Sequence, residues 1–228
     1  MSAANEDTCE SELKHVYDWA AVNNNNLTLN CAKSKEVVFC GRGLRGRPMQ
    51  LPPPSSGIEH VKSLSILGVV VNDRMTAANH VSHLLTACSR QLYALRVLRA
   101  HGIPRESLCD VARATVISRL TYCSPAWSGL CSAADRARLN AVLRRCRRLG
   151  YLEDTDAVSL DELFQSADDK LFKNIVHNPA HVLQPLIPDR PPSSYDFRPR
   201  THDKLLLNKT TYLNEREFVI RMLYKDSY

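Results

Sequence analysis

The sequence predicts an α+β chain, with one helix and a few short antiparallel strands in residues 1–72 and a mainly helical remainder. Three observations carry this. Runs of β-type residues are confined to positions 27–72. From Thr76 onward the apolar residues instead recur every three or four positions, the helical period. Between Leu84 and Leu149, inside those helical segments, lie twelve arginines, no lysine and three acids (Glu106, Asp110, Asp135), a net +9 that exceeds the +6 of all 228 residues. The expected division is 1–72, a helical bundle over 73–150, and a C-terminal extension over 151–228.

Asp7-Thr-Cys-Glu10 has an acceptor at the cap and Glu three residues on, so a helix is expected to start there. Leu13, Val16, Tyr17, Ala20 and Ala21 carry it to about Val22, and asparagines 23–26 end it. Leu27-Thr-Leu29 and Val37-Val-Phe39 read as short strands, and the Gly, Arg and Pro of 41–57 as a surface loop. Ile58–Val61 and Ser63–Asn72 return to β, with Gly68 marking a bulge or a close backbone approach. Val81, Leu84, Leu85, Cys88, Leu92, Leu95 and Leu98 form the stripe of a long helix closed by Gly102. Pro104 opens a second helix toward Tyr122 through Leu108, Val111, Ala112, Thr115 and Val116. Ser132 caps a third, with Leu139, Val142, Leu143, Cys146 and Leu149 as its stripe and Gly150 as its stop. Three antiparallel helices with short links make a small bundle.

The sign of charge then flips. Residues 153–169 hold seven acids and no base, and within them Ser159-Leu-Asp-Glu162 is a capping box opening a fourth helix. A proline-rich stretch over 179–199 reads as extended, and a short terminal helix is expected from Asn214 through Phe218, Ile220, Leu223 and Tyr224.

The composition, 44% hydrophobic and 24% charged, is that of a globular protein. No run approaches the roughly 18 apolar residues of a membrane span, and the polar start of the chain is neither a secretory nor a mitochondrial leader. The eight cysteines contain no CxxC pair, so reduced thiols and a cytoplasmic or nuclear location are expected. His80/His83 and His177/His181 lack a second pair at zinc spacing, and Pro179 interrupts the latter, so no metal site is expected. Arginine presents a planar fork of donors that stays charged, which suits phosphate. A folded surface studded with it most often meets a polyanion, nucleic acid first.

Several stretches carry a family resemblance. They are Leu13-Lys-His-Val16 through Trp19-Ala20, Leu27-Thr-Leu-Asn30-Cys-Ala-Lys33-Ser34-Lys35-Glu36, and Ser65-Ile-Leu67-Gly68-Val69 with Asn72-Asp73 and His80. Further on come Leu120-Thr-Tyr122 with Pro125-Ala-Trp127, Arg144-Arg-Cys-Arg-Arg-Leu-Gly150-Tyr151, and the ending from Phe218 to Tyr228. In order and spacing these resemble the C-terminal part of the reverse transcriptases of LINE-type (non-LTR), Jockey-like retrotransposons. The asparagine run 23–26 is longer than that pattern.

The resemblance implies a polymerase palm remnant over 1–72 and a thumb over 73–150 that grips a duplex by its sugar-phosphate backbone. It implies nucleic-acid contacts from Arg136, Arg138, Arg144, Arg145, Arg147 and Arg148. Lys33 matches the motif lysine near the incoming triphosphate, but without the catalytic box its reading as a turn lysine between two strands prevails. Leu67 and Gly68 match the primer-grip hairpin. Polymerase chemistry needs carboxylates holding two Mg²⁺ ions, and the Tyr-x-Asp-Asp turn that supplies them in the family belongs upstream of Met1. No catalytic residue, metal ligand or cofactor is therefore expected in this chain, nor enzyme activity on its own; Mg²⁺ belongs to the full-length family. Ser166-Ala-Asp168-Asp169 and Tyr151-Leu-Glu-Asp154 imitate the turn but are misplaced, the first within an amphipathic helix. Trp127 and Tyr122 suit base stacking or, beside Pro125, the core.

The expected partners are an RNA/DNA duplex backbone and the missing polymerase portion, with no membrane and no small-molecule substrate. A domesticated protein–protein module, or the remnant of a decayed element, is the alternative.

Overall fold

A computed structural model describes residues 6–22, 28–39, 54, 57–152, 159–189, 202 and 204–225. The chain is α+β and divides into two compact units, 1–75 and 76–228.

The first unit opens with helix α1 (Glu6–Val22). Its apolar residues have little to pack on: Val16, Tyr17 and Val22 are exposed, and Trp19 is 57% exposed. The expected strands at Leu27–Leu29 and Val37–Phe39 do not form in the described part of those runs. Residues 30–34, the stretch separating those two runs, make a tight turn, Asn30 accepting the Lys33 amide on its side chain at 3.1 Å and the Ser34 amide on its carbonyl at 3.0 Å. An asparagine that bonds its own downstream backbone favours a turn over a ladder. The chain leaves this turn through a two-residue strand, β1 (Lys35–Glu36), which pairs in parallel with β2 (Glu59–His60). This corrects the all-antiparallel expectation. The pairing sets Lys35 against Glu59 as an ion pair, and His60 Nε2 2.8 Å from Glu36 Oε2.

The run Ser63–Asn72 is not one strand with a bulge. It is a hairpin, β3 (Ser63–Ile66) antiparallel to β4 (Val69–Asn72), with Ile66 opposite Val69. Leu67 and Gly68 turn the chain at φ of 48° and 85°, the double positive of a two-residue hairpin turn. Ile58, Val69 and Asn72 are the buried residues described in this unit. The loop expected over 41–57 and the asparagine run lie almost wholly outside the described residues.

In the second unit, helix α2 (Ala78–Ala100) buries His80, Val81, Leu84, Cys88, Leu92 and Leu95. Leu98, expected in the stripe, is exposed near the helix end. The next rod runs unbroken from α3 (Arg105–Ala112) through a π-helical turn at 113–117 into α4 (Ser118–Thr121). Hydroxyls of Thr115, Ser118 and Thr121 donate to carbonyls four residues back, which competes with the backbone ladder where it widens. Sequence periodicity does not show this stretch, nor the short α5 (Ser124–Trp127) and 3₁₀ turn (Ser128–Leu130) after it.

Helices α6 (Ala133–Arg148) and α7 (Leu160–His177) begin with reciprocal caps. Ser132 accepts the Asp135 amide at 3.1 Å, Ser159 accepts the Glu162 amide at 3.1 Å, and each acid bonds back to its serine amide. Trp127 is buried where α2, α5 and α7 meet, edge-on to His80 and to Phe164, its ring N–H donating to the Tyr122 carbonyl at 3.0 Å. The indole is thus a core residue, not a stacking platform, while Tyr122 is exposed.

The expected terminal helix is two pieces, a 3₁₀ turn (Asn214–Arg216) and α8 (Phe218–Tyr224), with Glu217 extended between them. α8 packs Val219, Met222 and Leu223 against Phe172, Ile175 and Ile187. The 3₁₀ turn before it approaches Gly129, next to α5, so closely that a Cβ there would sit 2.3 Å from the Arg216 carbonyl oxygen. Among the described residues no helix is long and apolar enough to cross a membrane.

Candidate nucleic-acid interface

Helix α6 carries the six arginines singled out by the sequence. Its buried line of Asp135, Leu139, Leu143 and Cys146 defines the inward face. At about 100° per residue, Arg144 and Arg148 then point away from the core, with Arg145 and Arg138 on one flank and Arg136 and Arg147 on the other. Burial agrees: Arg144, Arg145 and Arg148 are exposed, Arg136 and Arg147 half-buried.

The two ends of this helix differ in what meets the charge. Near its start, Arg136 pairs with Asp161 of α7, donates to the Ser128 carbonyl at 3.1 Å and lies over the Phe164 ring. Arg138 pairs with Asp135 at 3.5 Å and donates to the Ser82 hydroxyl of α2 at 3.1 Å. Both guanidinium groups hold helices together. Near its end, Arg144, Arg145 and Arg148 make no ion pair or hydrogen bond among the described residues.

That open end borders a groove of about 480 Å³ between the ends of α2 and α6 and the start of α3. Arg99, Arg105, Arg147 and Arg148 line it, above apolar contributions from Ile103, Leu108 and Tyr151, and no acid lines it among the described residues. Gly150 ends α6 at a φ of 74°, a left-handed stop that side chains disfavour, and the last carbonyls turn outward. Arg99 donates to the Leu149 carbonyl at 3.1 Å, and Arg105 Nε to the Gly150 carbonyl at 3.3 Å. Arg99 also lies over the Tyr151 ring at 5.5 Å. Arginines placed at a helix C-terminus offset the partial negative charge of its unpaired carbonyls. Sequence reasoning counted Arg99 and Arg105 in the surplus but did not assign them a site. The signal available was their place three residues either side of Gly102.

The other sequence candidates lie elsewhere. Lys33 is an exposed residue of the Asn30 turn, and Leu67 and Gly68 form the hairpin tip, with Leu67 86% exposed. Asp168, of the Ser-Ala-Asp-Asp imitation, is buried inside α7 and bonded by Arg221 of α8 at 2.7 Å. Its neighbour Asp169 pairs with Lys225. A carboxylate held this way closes the fold rather than holding a metal. Glu153 and Asp154 of the second imitation lie outside the described residues.

Among the described residues no group of three or more His, Cys, Asp or Glu is placed to hold a metal ion. The described cysteines 31, 88, 109, 123, 131 and 146 are free thiols. Burial pushes the Cys131 and Cys146 thiols up to about 11, so both stay protonated and unreactive at neutral pH. Burial, with a smaller contribution from His83, lowers His80 to about 4, leaving a neutral imidazole against Trp127. No family model, no curated protein and no solved structure matches this chain.

Proposed function

We propose that this chain binds nucleic acid through the phosphate backbone, as the thumb portion of a LINE-type reverse transcriptase, and does not polymerise on its own. The observation that carries this reading is the uncompensated C-terminal half of α6, where Arg144, Arg145 and Arg148 stand exposed without acidic partners among the described residues. Arginine held on a helix offers phosphate its fork at little entropic cost, and backbone contacts of this kind carry no sequence information. The reading needs neither Arg136 nor Arg138, which are engaged within the fold. The hairpin tip at Leu67 and Gly68 and the Lys33 turn are compatible with the palm remnant that the resemblance implies.

The test is titration of a labelled RNA–DNA hybrid against salt. Three to five phosphate contacts give a log–log slope of about −2.7 to −4.5. Replacing Arg144, Arg145 and Arg148 together by Gln should flatten the slope by about 2 to 3. A salt-independent isotherm, or none, would sink the reading. Primer extension with Mg²⁺ should give no product.

A second reading is a protein–protein module. It is favoured by the exposed Val16, Tyr17 and Trp19 on α1, an apolar set that single scattered residues do not produce. Pull-down that depends on Trp19 and persists at high salt, without hybrid binding, would support it instead.

A further inference from the structure

We propose that the groove at the end of α6 is a phosphate pocket that grips one phosphodiester of a single-stranded nucleic-acid segment, the adjoining base lying on Tyr93. This rests on the nucleic-acid reading above and adds where an unpaired strand is held.

Four guanidinium groups, from Arg99, Arg105, Arg147 and Arg148, converge on one groove with no lining acid among the described residues. Two of them are anchored. Arg99 and Arg105 each give a donor to a carbonyl at the end of α6, which fixes the fork and leaves its remaining N–H groups for a ligand. Partial negative charges at one helix end cannot offset the full positive charges of Arg99, Arg105 and Arg148, so the groove calls for an anion. Prior anchoring also reduces the entropy lost when that anion binds. Arg99 further borders a second surface formed by Tyr93, Arg96 and Val97 of α2. Tyr93 is 66% exposed, a ring that burial does not explain, set beside Arg96. Cationic grooves with an adjoining exposed aromatic are how proteins hold unpaired strands, since every base has a face to stack. A carboxylate-rich partner would use the charges but not the ring.

The experiment measures anisotropy of a short fluorescein-labelled single-stranded DNA with the full chain, beside the RNA–DNA hybrid. Arg105→Gln and Arg148→Gln should each weaken single-strand binding about tenfold, and Tyr93→Leu about fivefold. Tyr93→Phe should bind like the parent, and Arg119→Gln, exposed on α4 and lining neither surface, should lose less than about twofold. Arg105→Gln removes a contact that closes α6 and could unfold the chain. Arg148→Gln removes none among the described residues and keeps the test decisive.

Equal losses at Arg105, Arg148 and Arg119 would overturn the pocket in favour of diffuse attraction. Hybrid binding without single-strand binding would overturn it while leaving the thumb reading intact; loss of both would overturn both. Poly-glutamate displacing the strand as well as unlabelled oligonucleotide would assign the groove to an acidic protein segment. Inorganic phosphate doing so at equal phosphate concentration would assign it to a free anion. Either result overturns the proposal.

Discussion

Two ends of the helical unit carry similar numbers of cations and treat them in opposite ways. Where the start of α6 meets α7 and α8, Arg136, Arg138, Arg221 and Lys225 face Asp161, Asp135, Asp168 and Asp169. Where α6 ends, Arg99, Arg105, Arg147 and Arg148 share a groove with no lining acid among the described residues, and Arg144 and Arg145 stand outside it. Charge that has a partner ties elements of the fold together. The exposed Arg144, Arg145 and Arg148, with no ion pair among the described residues, are available to a ligand. Three of those four acids, Asp161, Asp168 and Asp169, belong to α7, which packs against α5, α6 and α8; Asp135 is α6's own.

The largest effect expected from this contrast is at the paired end. Asp168 is buried and Arg221 partly so, and removing one member of such a pair strands the other charge. Asp168→Ala should cost about 3 kcal/mol and lower the thermal midpoint by roughly 6–12 °C. The double variant Asp168→Leu with Arg221→Met should recover most of the loss. A single variant that melts like the parent would break the comparison.

Acid should weaken the same end. His80 is neutral in the core at about 4 while an unfolded imidazole titrates near 6.5, so the unfolded state holds more protons between those values. Stability should therefore be full above about pH 6.5 and fall as pH drops toward 4, by on the order of 1–3 kcal/mol. Denaturant unfolding of the parent and of His80→Leu checks this. Loss of the same size in the variant would assign the acid sensitivity to the carboxylates.

The smallest effects sharpen the contrast most. Arg136→Gln should cost about 0.5–1 kcal/mol, limited by solvent around its half-exposed pair, and leave the salt slope of hybrid binding unchanged. Arg144→Gln should leave stability within about 0.5 kcal/mol and reduce the slope by about 0.9. The reverse pattern would mean that the paired arginines meet the ligand and the exposed ones do not.

Local signals were legible where they were sufficient. The caps at Ser132 and Ser159, the stop at Gly150 and the stripe Val81–Leu95 are set by residues within a turn or two of one another, and the helices form there. In the first unit the β character of 58–61 and 63–72 was legible too, but the strand at Lys35–Glu36 was not, because its pairing with Glu59 depends on a partner 24 residues away. The π-helical turn escaped because a widened ladder keeps nearly the same apolar spacing as an α-helix.

Sequence by itself determined the arginine surplus, the helices that carry it and the α+β character of the chain, all of which arise from composition and near-neighbour periodicity. Which arginines bind within the fold and which face outward was decided only by tertiary structure. Asp161 lies 25 residues from Arg136, and Asp168 lies 53 from Arg221. A charge is neutralised by whatever packing brings within about 4 Å of it, and separation along the chain does not encode that distance.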